Sequence, residues 1–214
     1  MHPGSWTSGS YDHLMPDTDQ LLALRTGRRA ARIITEVFSP VVLVGGFLLA
    51  QPLLTPGVTW GQAVTAMMFT VGLPFALILW LKRRGTVTDH HVGVREQRAP
   101  ILVASALSLG LGAVLLTFMD APTGLFGDIG GVFIGLVLCL LANLVWKLSV
   151  HAAVVAYIAL ALLAPVPAVG PALALLLASA VGWSRVRLGD HTPAQVLAGH
   201  MVGCVVFSVA LLLP

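Results

Sequence analysis

Charge is what this sequence has least of. Lys and Arg number 12 and Asp and Glu 9 among 214 residues, or 10% of the chain, against about 25% in a soluble globular domain. With 57% hydrophobic residues and a mean hydropathy of +0.91, no soluble fold of this length would hide the apolar surface, whereas a bilayer is itself an apolar solvent. Cysteine is also scarce. Cys139 and Cys204 both sit deep in apolar runs, which excludes a disulfide framework and a thiolate metal site. The acidic residues are too few and too scattered for a magnesium cage. The adjacent His90 and His91 have no carboxylate partner at a set spacing. No metal or other cofactor is therefore expected. The net charge of +3 comes from basic residues placed between apolar runs, so it reads as a signal for membrane orientation and not as a nucleic-acid surface.

What is present is a series of apolar runs, each close to the roughly 20 residues that a spanning helix needs. They cover about 33–54, with Pro40 as a kink, then 60–81, 100–118, 129–146, 150–163, 172–183 and 193–213. The expected fold is all-α: a polytopic transmembrane bundle of seven spanning helices, or six if the stretch between Trp146 and His151 does not break a helix. The fifth and sixth runs are short and are expected to extend into their flanks. Residues 1–20 are polar and rich in Gly, Ser, Pro and Asp, without the charged-then-apolar order of a cleavable signal. They are expected to form a disordered tail ahead of one membrane domain, 21–214. Between Leu21 and Arg32, Leu21, Leu22 and Leu24 are followed by Arg25, Arg28, Arg29 and Arg32; this reads as an interfacial lead-in or as the wet end of the first span.

Every Lys and Arg falls in one of four segments: Arg25–Arg32, Lys82–Arg98, Lys147, and Arg185–Arg187. With seven spans all four lie on one side, and the opposite loops carry none. Basic loops stay in the cytoplasm, so the N-terminus and these segments are expected there.

The polar residues of chemical interest collect on the same side, in three stretches: Thr88–Pro100, Lys147–His151 and Ser184–Gln195. Ionisable residues at helix ends in a membrane protein are costly and tend to be functional. Arginine offers a planar donor fork matched to phosphate oxygens. One histidine can attack phosphorus while a second protonates the leaving oxygen.

These stretches resemble the type 2 phosphatidic acid phosphatase (lipid phosphate phosphatase) superfamily, whose pattern is Lys-x6-Arg-Pro, then Pro-Ser-Gly-His, then Ser-Arg-x5-His-x3-Asp. The third element is matched at Ser184, Arg185 and His191, the second at Ser149 and His151, and the first at Arg98. The sequence departs from the pattern at His91 for lysine, Leu148 for proline, Val150 for glycine and Gln195 for aspartate. The resemblance implies that His191 is the nucleophile and forms a phosphohistidine, and that His151 is the general acid. Arg98 and Arg185 would clamp the phosphate, with Ser149 as a further donor. Gln195 would stand behind His191, its amide oxygen accepting the ring N–H. Arg95, His91 and Lys147 are further phosphate-site candidates. The implied function is a membrane phosphatase acting on a lipid or polyprenyl phosphate at the cytoplasmic face. The alternatives are a catalytically impaired relative that binds lipid or scaffolds a complex, favoured by Gln195, and a transporter. Against the transporter, the polar residues lie at one rim and not at the bilayer midplane. His200 and Arg187 read as packing and anchoring residues.

Overall fold

The computed structural model describes residues 18–85 and 98–212. Most of the expected N-terminal tail lies outside these residues. All regular structure in the described residues is helical. The chain forms α1 (Thr18–Val37), α2 (Pro40–Leu49), α3 (Gln51–Leu54), α4 (Trp60–Met67), α5 (Leu73–Arg83), α6 (Arg98–Phe118), α7 (Thr123–Val145), α8 (Val150–Leu163), α9 (Gly170–Arg187) and α10 (Pro193–Ala210). Among the described residues, four stretches are long and apolar enough to cross a membrane: Arg25–Leu49, Trp60–Arg83, Thr123–Val145 and Pro193–Ala210. Shorter apolar helices occupy Val103–Phe118 and Val150–Leu163. The protein is an integral membrane helical bundle.

The prolines decide where helices break. Pro40 was expected to kink one span; instead α1 ends at Val37 and α2 begins with Pro40 in its first turn. A proline has no N–H to lose in that position. The Arg-bearing lead-in is the first half of α1 and continuous with the span. A π-helical turn, Met68–Gly72, joins α4 to α5 immediately before Pro74. Pro74 cannot donate to the preceding turn and its ring crowds it, so the ladder shifts register there. Ser108 of α6 donates to the Phe69 carbonyl in this turn at 2.6 Å.

Trp146 is extended, with φ −145° and ψ 141°, so α7 and α8 are separate helices. The stretch between Trp146 and His151 therefore does break the helix. The sixth run extends as expected, as α9. The fifth does not: α8 keeps 14 residues, about 21 Å of helix against a hydrocarbon core of about 30 Å. Its surroundings explain this. His151, Ala152, Ala153 and Val155–Ala159 are all buried, with α10 and α9 packed most closely on it and α2 and α7 beside it. A helix apolar all round and wrapped by others answers to its neighbours rather than to lipid thickness. On α10, Gly199 and Gly203 sit directly over the α8 backbone. A Cβ at Gly199 would stand 2.5 Å from the Ser149 carbonyl oxygen, so only glycine permits this approach.

Three of the basic segments come together with the turn after α9. The Arg187 guanidinium lies over Gly27 of α1, and Lys147 Nζ donates to the Asp190 carbonyl at 2.8 Å.

Candidate active site

The site is built where α8 begins, α9 ends and α10 begins. Ser149 is the N-cap of α8: its hydroxyl accepts from the Ala152 N–H at 3.4 Å. Its own N–H donates to the Gln195 carbonyl at 3.3 Å, which ties the start of α8 to the first turn of α10. Ser149 is fully buried, and His151, two residues on, is 6% exposed. Both therefore lie inside the protein and not on its rim.

At the end of α9, Ser184 and Arg185 are also buried. The Ser184 hydroxyl donates to the Val181 carbonyl at 2.7 Å and lies 3.0 Å from the Thr35 hydroxyl of α1, which anchors this end of the helix. Gly189 adopts φ +80°, the left-handed conformation that ends helices and favours glycine. The reversal folds the chain back, so the N–H groups of Asp190 and His191 both point at the Arg185 carbonyl, at 3.1 and 3.4 Å. Asp190 is therefore not on a helix with His191. It turns to Arg185, with Oδ2 3.1 Å from Nη2.

Thr192 then caps α10 with a full capping box: its hydroxyl accepts the Gln195 N–H, and Gln195 Oε1 accepts the Thr192 N–H at 3.1 Å. The same Oε1 lies 3.3 Å from His191 Nδ1. A carbonyl oxygen only accepts, so this contact puts the ring proton on Nδ1 and the lone pair on Nε2. Burial, and then the cations Arg185 and Lys147, push the His191 pKa down to about 4 against the smaller opposing pull of Gln195 and Asp190. The imidazole is neutral at physiological pH.

His151, Arg185 and His191 line one cavity of about 610 Å³ that continues into the apolar interior. Ser149, Lys147 and Gln195 are tied to its polar end by the bonds above. Arg185 Nε is buried and has no hydrogen-bond partner among the described residues. Arg98 opens α6, and Ile101 and Ser105, on the next turns of that helix, reach the cavity wall. His91 and Arg95 lie outside the described residues.

Sequence reasoning passed over several polar wall residues, Glu36, Ser39 and Asn143 among them. Glu36 carried a signal: it is the one acidic residue between Leu21 and Leu54, set just before the proline break. Its charge acts on Arg185 from across the cavity.

Residues 146–214 match the family model described as the PAP2 superfamily. No curated protein and no solved structure matches the chain. The match covers α8, α9 and α10, the three helices whose ends build the polar cluster.

Proposed function

We propose that this chain, whose residues 146–214 match the PAP2 superfamily model, is a phosphatase of that type and hydrolyses a phosphomonoester or diphosphate on a lipid or polyprenyl-linked substrate. The reaction runs through a phosphohistidine intermediate, with the site and the N-terminus on the cytoplasmic side. The observation that carries this reading is the shared cavity. A neutral histidine with its lone pair on Nε2, a second buried histidine and a guanidinium with an unpartnered N–H line the same space. A buried donor left without a partner costs about 1–3 kcal/mol, and a phosphate oxygen would satisfy it.

In the first step His191 Nε2 attacks phosphorus while the bond from phosphorus to the leaving oxygen breaks. His151 delivers a proton to that oxygen. Arg185, joined by Arg98 from α6, balances charge on the non-bridging oxygens, which is where preorganised donors act most strongly. In the second step His151 takes a proton from water, the oxygen adds to phosphorus, and the P–N bond breaks. Phosphate leaves and both histidines return to their starting state. Lys147 and Ser149 hold the turn and the helix start that frame the anion.

The rival reading, an impaired lipid-binding relative, rests on Gln195. The Gln195 contact with His191 Nδ1 favours the enzyme, because orientation and tautomer are kept even though the negative charge is not. The deciding experiment is phosphate release from a panel of lipid and polyprenyl phosphates by purified wild type and His191→Ala, with EDTA present. Release by wild type alone upholds the proposal. No release from any substrate overturns it in favour of the binding protein.

A further inference from the structure

The cavity that holds the two histidines does not stop at them. It runs along α8 from His151 to Tyr157, along α7 from Asn143 to Gly131, and along α10 to Val206. Twelve residues of α7 correspond to about 18 Å of depth. Beyond the polar end the wall is mostly apolar, with Val44, Val154, Leu136 and Val202 among its residues. Its inner end is tightly packed. Tyr157 is 5% exposed and Val206 1%, and the Tyr157 ring meets Phe47 edge-on with centroids 6.2 Å apart. The Tyr157 hydroxyl is packed over Gly131 so closely that any Cβ there would collide with it.

The geometry points to an enclosed tail: one apolar chain of the lipid phosphate lies inside the bundle, and Tyr157 with Gly131 and Val206 limits its length. This rests on the phosphatase reading for the identity of the head group. The occupant follows from continuity. The apolar space opens directly onto Arg185, His151 and His191, so an anionic head seated there has its first methylenes already inside. A chain of methylenes fits the apolar space lined by α2, α7, α8 and α10, whereas a tail left in the bilayer would leave this space to other lipid.

Such a site reads length by exclusion. A bilayer is as apolar as the cavity, so moving a methylene between them yields no hydrophobic gain. A chain longer than the floor allows has to bend or overpack the core. The expected dependence is therefore a plateau followed by a sharp fall.

The test uses the full chain in phosphatidylcholine nanodiscs with octyl, dodecyl, hexadecyl and eicosyl monophosphates, concentration being counted per lipid. Two readouts are taken: phosphate release, and thermal stabilisation by the matching alkyl phosphonates, which cannot be hydrolysed. The expected result is equal turnover for the shorter chains and a fall of about tenfold by the longest. Gly135→Leu should move the break to shorter chains, because Gly135 lines the channel and its Cβ position is only in ordinary contact with Val206 at 3.6 Å. Tyr157→Leu should move it to longer ones. Val206→Ala makes the same test with a smaller change should the tyrosine variant fail to fold. Turnover that ignores chain length in wild type and variants overturns the enclosed tail and leaves the phosphatase standing. A length break in stabilisation without phosphate release upholds the tail site and overturns the phosphatase. Neither signal removes both.

Discussion

The Oε1 atom of Gln195 faces two donors at once, the Thr192 N–H at 3.1 Å and His191 Nδ1 at 3.3 Å. One side chain thereby starts α10 and sets the tautomer of the histidine. A carboxylate in its place would do both and would also add negative charge. Charge stabilises the imidazolium, so Gln195→Asp should raise the His191 pKa from about 4. The acid limb of kcat/KM should move to higher pH, and pH–rate profiles of the two proteins check it. A limb that stays in place removes Gln195 from the electrostatics of the site.

The same depressed pKa makes a statement about stability. His191 titrates near 6.5 when unfolded and near 4 when folded. Its contribution is fully present above pH 6.5 and drains away as the pH falls to about 4, because the unfolded chain takes up the proton first. His191→Gln cannot titrate and should lose less stability than wild type across that window. Thermal unfolding in detergent at stepped pH measures the difference in slope.

Arg185 acts through the shape of its guanidinium as well as its charge. Arg185→Lys keeps the charge but loses the planar fork that meets Asp190 and offers Nε to the cavity. Loss of one preorganised donor typically costs about 10²–10³ in rate. A fall of about that size in kcat/KM, with the protein still folded, is expected from steady-state phosphate release. A near-normal rate would make Arg185 a structural anchor.

Glycines with different surroundings should answer differently to the same substitution. Gly199→Ala drives a methyl into the Ser149 carbonyl, and overpacking of this kind costs about 1–3 kcal/mol. Gly110, exposed on α6, has nothing within 4 Å of its Cβ position, and Gly110→Ala should stabilise by about 0.4–1 kcal/mol. Unfolding midpoints of the pair decide it.

Orientation is checked by labelling. Single cysteines at Gly85 and at Asp120, in a background with Cys139 and Cys204 replaced by alanine, are treated in intact cells with an impermeant maleimide. Labelling at 120 and protection at 85 is expected. The reverse would place the site on the outer face.

How much of this was legible in the sequence varied with the kind of information. The apolar run of α8 was, because the Pro165–Pro171 turn follows it, but its shortness was not, because that depends on the helices packed around it. The polar cluster was legible, through the spacing of Ser184, Arg185 and His191. Helix breaks were not, because Pro40 reads the same whether it kinks a helix or starts one, and only packing of α1 on α9 and α2 on α4 and α8 decides. Nor was the pairing of Asp190 with Arg185, which depends on the left-handed Gly189 turning the chain back. Glu36 stayed hidden because it reaches the site from a helix far away in sequence, with no spacing to betray it.

The sheathing of α8 has one more consequence. Its neighbours meet the lipid on its behalf, so the depth of His151 is fixed by protein contacts and not by the thickness of the surrounding membrane. Helices at the periphery can tilt to suit a thinner or thicker bilayer at modest cost, while the His151 end of α8 keeps its register with α9 and α10. The polar end of the cavity is thus insulated from membrane composition, and a cell that remodels its lipids would leave the geometry between His151 and His191 unchanged.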